Sequence, residues 1–96
     1  MTTIVYDKAA WHIDAGEQKE QVLAHFKFIM EWSLKNKLLT DEGLEIVEFG
    51  VDDSISLHSR MFNERGNLFM RKFYDFFIGA TKGNDKEMDE KLNSLS

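Results

Sequence analysis

The sequence predicts a mainly α fold: a small helical bundle of two long antiparallel helices, a short connecting element and an N-terminal arm. Three observations carry this reading. Apolar residues recur at helical spacing over 17–37 and again over 54–80. The chain contains no proline to interrupt either run. Its 96 residues, 43% apolar and 12% aromatic, supply one core and are too few for two independently folding units. The expected organisation is a single domain over 1–96, with an arm (1–16), a helical body (17–83) and a charged C-terminal tail (84–96).

Ile4, Val5 and Tyr6 open the arm, and Ala15-Gly16 closes it. It reads as an extended or one-turn segment laid across the body, with Trp11 as its anchor. Over 17–37, Val22, Phe26, Ile29, Met30 and Ser33 follow one helical face. Leu23, His25, Phe28, Trp32 and Leu34 widen it, so this helix is expected to be central. Asn36-Lys37 supplies a stop.

Residues 40–51 combine a helix start, with Thr40 as cap and acids in the first turn, with the β-rich run Glu45-Ile46-Val47-Glu48-Phe49. A short helix is favoured, with Leu44, Val47 and Val51 on its inner face; a strand is the alternative. Over 54–80, Phe62, Gly66, Phe69, Phe73, Phe76, Phe77 and Ala80 share a stripe. Gly66 on that stripe costs about 1 kcal/mol against alanine in a helix interior, which points to close approach of another backbone there, such as the first helix. A break at 63–67 into two helices is the alternative. The tail adds a last turn through Met88, Leu92 and Leu95, or frays.

Charge and composition exclude several functions. Zero cysteines remove disulfides, thiolate metal sites and cysteine nucleophiles. A net charge of −5 argues against binding nucleic-acid phosphates. No apolar run approaches the roughly 18 residues of a membrane span, and the first residues carry no secretory pattern, so a cytoplasmic protein is expected. The six acids Asp41, Glu42, Glu45, Glu48, Asp52 and Asp53 stand together with no base among them. If helical, Asp41, Glu45, Glu48 and Asp52 line one face, whose mutual repulsion a cationic partner would relieve. A solvated face that keeps the protein dissolved is the plainer explanation.

No nucleophile elbow, phosphate loop or H-x-x-x-H spacing is present. Asp7, His12 and His25 could meet as a metal site if the arm crosses the first helix, but hydrogen-bonded structural histidines are the favoured reading. No enzyme activity, metal or cofactor is therefore expected. Asn63-Glu64-Arg65-Gly66-Asn67 is a polar cluster inside an aromatic stretch, and a structural role is favoured for it.

Three stretches are similar to an uncharacterised family of small bacterial proteins. Tyr6-Asp7-Lys8-Ala9-Ala10-Trp11-His12 resembles that family's Y-D-K-A-x-W-H signature. His25 through Trp32 resembles its H-I-x-x-F-x-x-W helix, and Met61 through Phe69, with Phe73-Tyr74, resembles its L-N-E-E-G-N-x-F-x-x-x-Y-Y motif. Longer members carry a proline-containing stretch after the signature, which this chain lacks. The resemblance implies no reaction and no cofactor. It singles out Tyr6, Asp7, Lys8, Trp11, His12, His25, Trp32, Asn63, Glu64, Gly66 and Asn67, read as a joint where the arm docks: Trp11 inserted between helices, Asp7 and His12 bonded across to His25 or Asn67.

The expected function is an acidic binding protein whose partner is a protein with a basic surface. An immunity-type protein that neutralises a basic bacterial toxin, such as a nuclease, is the concrete form. The alternatives are a homo-oligomeric structural module, such as a homodimer, with an aromatic seam through Phe73, Phe76 and Phe77, and a His/Asp metal-dependent protein.

Overall fold

The computed structural model describes residues 3–74 and 85–95. In chain order the elements are strand β1 (Val5–Lys8), helix α1 (Ala9–Asp14), helix α2 (Lys19–Lys35), helix α3 (Asp41–Phe49), strand β2 (Ser56–His58), a 3-10 turn (Ser59–Met61), helix α4 (Glu64–Phe73) and helix α5 (Asp85–Asn93). The fold is mainly helical with one small antiparallel sheet, in which β1 pairs with β2.

Helix α2 is central. Val22, Phe26, Ile29, Met30 and Trp32 are all buried, as their helical spacing requires. They pack with Ala9, Leu38, Leu57, Met61, Phe62, Phe69 and Tyr74 in one cluster. The helix stops through two backbone bonds: Leu38 N–H donates to the Ser33 carbonyl and Lys37 N–H to that of Leu34. This is a Schellman ending with Lys37 in the left-handed position, φ 58°.

The second long helix expected over 54–80 needs correction. Residues 56–58 are a strand and 59–61 a 3-10 turn, and α4 begins at Glu64. The stripe is helical only from Gly66 onward: Phe62, its first residue, is extended, and Leu57 and Met61 are core residues reached from extended and 3-10 backbone. Local periodicity cannot report such long-range pairing. The remainder of that expected helix, 75–80, lies outside the described residues. Among the described residues, α2 is the one long helix.

Residues 37–43 and 60–66 meet as near-equivalent halves of a clasp. Leu39 and Phe62 form an isolated antiparallel bridge. Thr40 N–H donates to the Met61 carbonyl, and Asn63 N–H to that of Leu38. The cap side chains repeat the exchange: Thr40 hydroxyl donates to Arg60 O, 2.7 Å, and Asn63 Nδ2 to Lys37 O, 2.8 Å. Each cap also accepts from the glycine three residues on, Gly43 or Gly66. A Cβ on Gly66 would lie 2.6 Å from the Leu38 carbonyl oxygen, and one on Gly43 would strike that of Met61. Gly66 does answer a close backbone approach, but the backbone is the connector after α2, and Gly66 sits in the first turn of α4.

The expected tail, 84–96, contains a docked helix. Met88 and Leu92 of α5 are buried, and Trp32 Nε1 donates to Asp89 Oδ1, 2.8 Å.

Candidate functional site

Two surfaces gather the chemistry-bearing side chains. The first is a polar knot where the arm meets the body. β1 carries one extra residue at Tyr6 relative to β2, because Val5 pairs with His58 and Asp7 with Leu57. Asp7 enters the core, 3% exposed, while the Tyr6 hydroxyl donates to Asn67 Oδ1, 2.6 Å.

Asp7 is fully engaged. His12 Nε2 lies 2.8 and 2.9 Å from its two oxygens, Tyr74 hydroxyl donates to Oδ2 at 2.6 Å, and Lys8 N–H donates to Oδ1. His12 Nδ1 lies 2.6 Å from Glu17 Oε2. The sequence folds this way locally because α1 ends at Gly16, φ 96°, a conformation that glycine adopts without steric cost. Gly16 N–H then bonds Ile13 O and Glu17 N–H bonds His12 O. This Schellman turn brings Glu17 back onto the imidazole.

Because Tyr74 gives its proton to Asp7, its oxygen accepts from His25 Nε2, 2.8 Å away. The two histidines therefore differ. Burial opposes charge on His12, but hydrogen bonds to Asp7 and Glu17 and their negative charges outweigh it, and its pKa stands above the ordinary value. Burial dominates at His25, with the His12 charge adding to it against the pull of Asp7, and its pKa falls below the ordinary value. The charged, doubly donating form is favoured at His12, which faces a carboxylate at each nitrogen, and the neutral form at His25.

The knot brings together Asp7, His12 and His25, which the sequence singled out, and joins them through Tyr74 and Glu17. Glu17 was missed; the glycine before it was its one local signal. The expected bond from Asp7 or His12 to Asn67 does not form, since Asn67 serves Tyr6, Ser59 and Phe62 instead. Trp11 is not an inserted anchor. It is 53% exposed, with Lys8 Nζ 5.7 Å from its ring centroid, because on α1 Ala9 takes the buried position. Glu64 is exposed in the first turn of α4. Trp32 packs on Phe69 and reaches α5, away from the knot.

As a reaction centre the knot has nothing to spare: His12 spends both nitrogens on carboxylates. Among the described residues no group of three or more metal-ligating side chains is arranged to hold an ion.

The second surface is α3. The helix forms as the Thr40 cap predicts but ends at Phe49, so Asp52 does not share its face with Asp41, Glu45 and Glu48, and the six acids separate into two sets. Glu42 is drawn inward to Arg60, 2.9 Å, and His58, 3.6 Å. Asp53 meets Lys19, 3.3 Å, and Asp52 accepts from Ser54 backbone and hydroxyl, which lowers its pKa. Asp41, Glu45 and Glu48 remain exposed and make no ion pair among the described residues. Leu44 departs from the inner face expected for it and is 42% exposed, and Phe49, at the end of the helix, is 88% exposed. Gly43 takes the inward place, because the clasp needs backbone contact there.

Of the seam residues, Phe73 packs on Phe69 and lies under Lys91; Phe76 and Phe77 lie outside the described residues. Among the described residues no helix is long and apolar enough to cross a membrane. No protein-family model, no curated protein and no solved structure matches the chain.

Proposed function

We propose that this chain is a non-enzymatic binding protein that holds a partner with a basic, partly apolar surface on the outer face of α3. The observation that carries the reading is the pairing of charge with exposed hydrocarbon there. Asp41, Glu45 and Glu48 make no ion pair among the described residues and flank Leu44 and Phe49. Exposed phenylalanine gains about 1.5–3 kcal/mol on burial, and a carboxylate rim around an apolar anchor speeds encounter and selects cationic partners. Analogy with small acidic immunity proteins gives the concrete form of the proposal, neutralisation of a basic bacterial toxin domain.

The test is to express the product of the adjacent reading frame and measure its binding by calorimetry over a range of salt. The expected result is binding that weakens with salt and is lost in Glu45→Lys/Glu48→Lys, with a further loss in Phe49→Ala. Both variants should melt like the wild type, since none of these side chains is buried. Equal binding by the variants would remove α3 from the mechanism. For the toxin form, co-expression with that product should restore growth in the wild type and fail in the double reversal.

A further inference from the structure

We propose that the cleft between the N-terminal arm and α4 binds a carboxylate carried on an apolar body. The cleft has a volume of about 590 Å³. Its polar lining includes Arg71, Arg60, Ser59 and Glu42, and its apolar lining includes Ile4 and Phe62.

Hydrogen-bond accounting shows which groups can receive a ligand. Tyr6 hydroxyl is committed to Asn67, both protons of Asn67 Nδ2 to the Ser59 and Phe62 carbonyls, and Thr40 hydroxyl to Arg60 O. Arg60 is held by Glu42. Ser59 Oγ accepts from Ile4 N–H and keeps its own proton to give. Arg71 is exposed and makes no ion pair or hydrogen bond among the described residues. Its charge nevertheless reaches the Tyr6 oxygen, where it partly offsets the rise that burial imposes on the phenol. The Arg71 guanidinium and the Ser59 hydroxyl are therefore available donors at the cleft, joined by the Thr3 hydroxyl and by the Arg60 N–H groups beyond the one given to Glu42.

The unpaired guanidinium of Arg71 fits a carboxylate. A guanidinium presents two parallel N–H groups to two coplanar oxygens. A doubly charged phosphate would meet one unpaired cation and the Glu42 carboxylate on the same wall, which disfavours it. Ile4 is a large, exposed apolar residue at the cleft, so a ligand with hydrocarbon next to its carboxylate gains more than acetate does. The carboxylate could belong to a small organic acid or to the C-terminus of a peptide chain; the chemistry at Arg71 is the same.

The experiment is an amide NMR titration of the full chain with hydrocinnamate and with N-acetyl-Leu-Phe as its free acid, each against the matching neutral amide. Saturable shifts at Ser59, Asn67 and Arg71 are expected with the acids and not with the amides. Tighter binding of the peptide acid assigns the site to chain termini, and tighter binding of hydrocinnamate to free acids. Arg71→Gln should weaken the acid by about tenfold or more, the usual value of a hydrogen bond to a charged group, with an unchanged melting temperature. Glu42→Gln should strengthen it several-fold, because it frees Arg60 and removes a like charge. Equal binding of acid and amide, no saturable binding of either acid, an unaltered titration in Arg71→Gln, or weaker binding in Glu42→Gln would each overturn the proposal. None of these outcomes depends on whether α3 holds a protein partner.

Discussion

The clasp and the knot both fasten distant stretches of chain, and they do it with opposite physics. At the clasp, residues 37–43 and 60–66 exchange neutral backbone and cap hydrogen bonds, and two glycines let carbonyls come within contact distance. The bonds so exchanged involve no titrating group, and the one ion pair that spans the two halves, Glu42 with Arg60, lies at the surface. At the knot, one buried carboxylate gathers an imidazolium, a phenol and, through the phenol, a second imidazole. A neutral joint tolerates changes of medium and is intolerant of added volume. A charged joint tolerates little change in protonation and depends on every partner being present.

Removing the centre of the knot should have the largest effect. Asp7→Ala leaves His12 and Tyr74 without their acceptor and is expected to cost about 3–5 kcal/mol, the range for breaking a buried charged pair, read from urea denaturation. A loss below 1 kcal/mol would mean that the arm contributes little to the fold.

Next comes the clasp. Gly66→Ala sets a methyl against the Leu38 carbonyl, and backbone there cannot yield as a side-chain tip would. A cost of about 1–3 kcal/mol is expected, with the loss uniform across pH.

That uniformity sharpens the contrast with a third variant. His12 has a raised pKa in the fold, so its contribution is complete below the ordinary histidine value and is lost as pH rises through the folded value. His25 is depressed, so its contribution is complete above the ordinary value and is lost as pH falls through the folded one. Stability against pH should therefore fall on both sides of the ordinary histidine value. His12→Gln should flatten the alkaline side and leave the acid-side decline, to which His25 and the similarly depressed His58 both contribute. An alkaline decline of wild-type size in that variant would place its origin elsewhere.

The smallest effect belongs to the turn that feeds the clasp. Lys37 occupies the left-handed region, which costs a side-chain-bearing residue about 1–2 kcal/mol. Lys37→Gly should relieve that strain, offset in part by the greater freedom of glycine when unfolded, for a gain of under about 1 kcal/mol in melting experiments.

Much of this arrangement is legible in the residues. The 3.6-residue period marks α2, and Thr40 followed by Asp41 and Glu42 marks the start of α3. The meeting of Asp7, His12 and His25 follows from placing the arm on α2. Strand β2 is not legible, because three residues, Ser56-Leu57-His58, carry almost no period and their extended form depends on β1, about fifty positions away. The clasp left a trace: two apolar residues, a cap, an acid, any residue, then glycine occurs at Leu38–Gly43 and again at Met61–Gly66. The exposure of Trp11, Leu44 and Phe49 could not be read locally, since hydrophobicity says what a side chain gains by burial and not whether a neighbour arrives to bury it.

The two tryptophans sit in unlike surroundings, one in solvent above Lys8 and the other sealed under Asp89. Their light emission should therefore divide cleanly. Dissolved acrylamide would extinguish the Trp11 component first, and release of α5 would move the remaining emission to longer wavelength while the rest of the body stays folded. The protein thus carries its own optical gauge of whether its last helix is seated, without any attached dye.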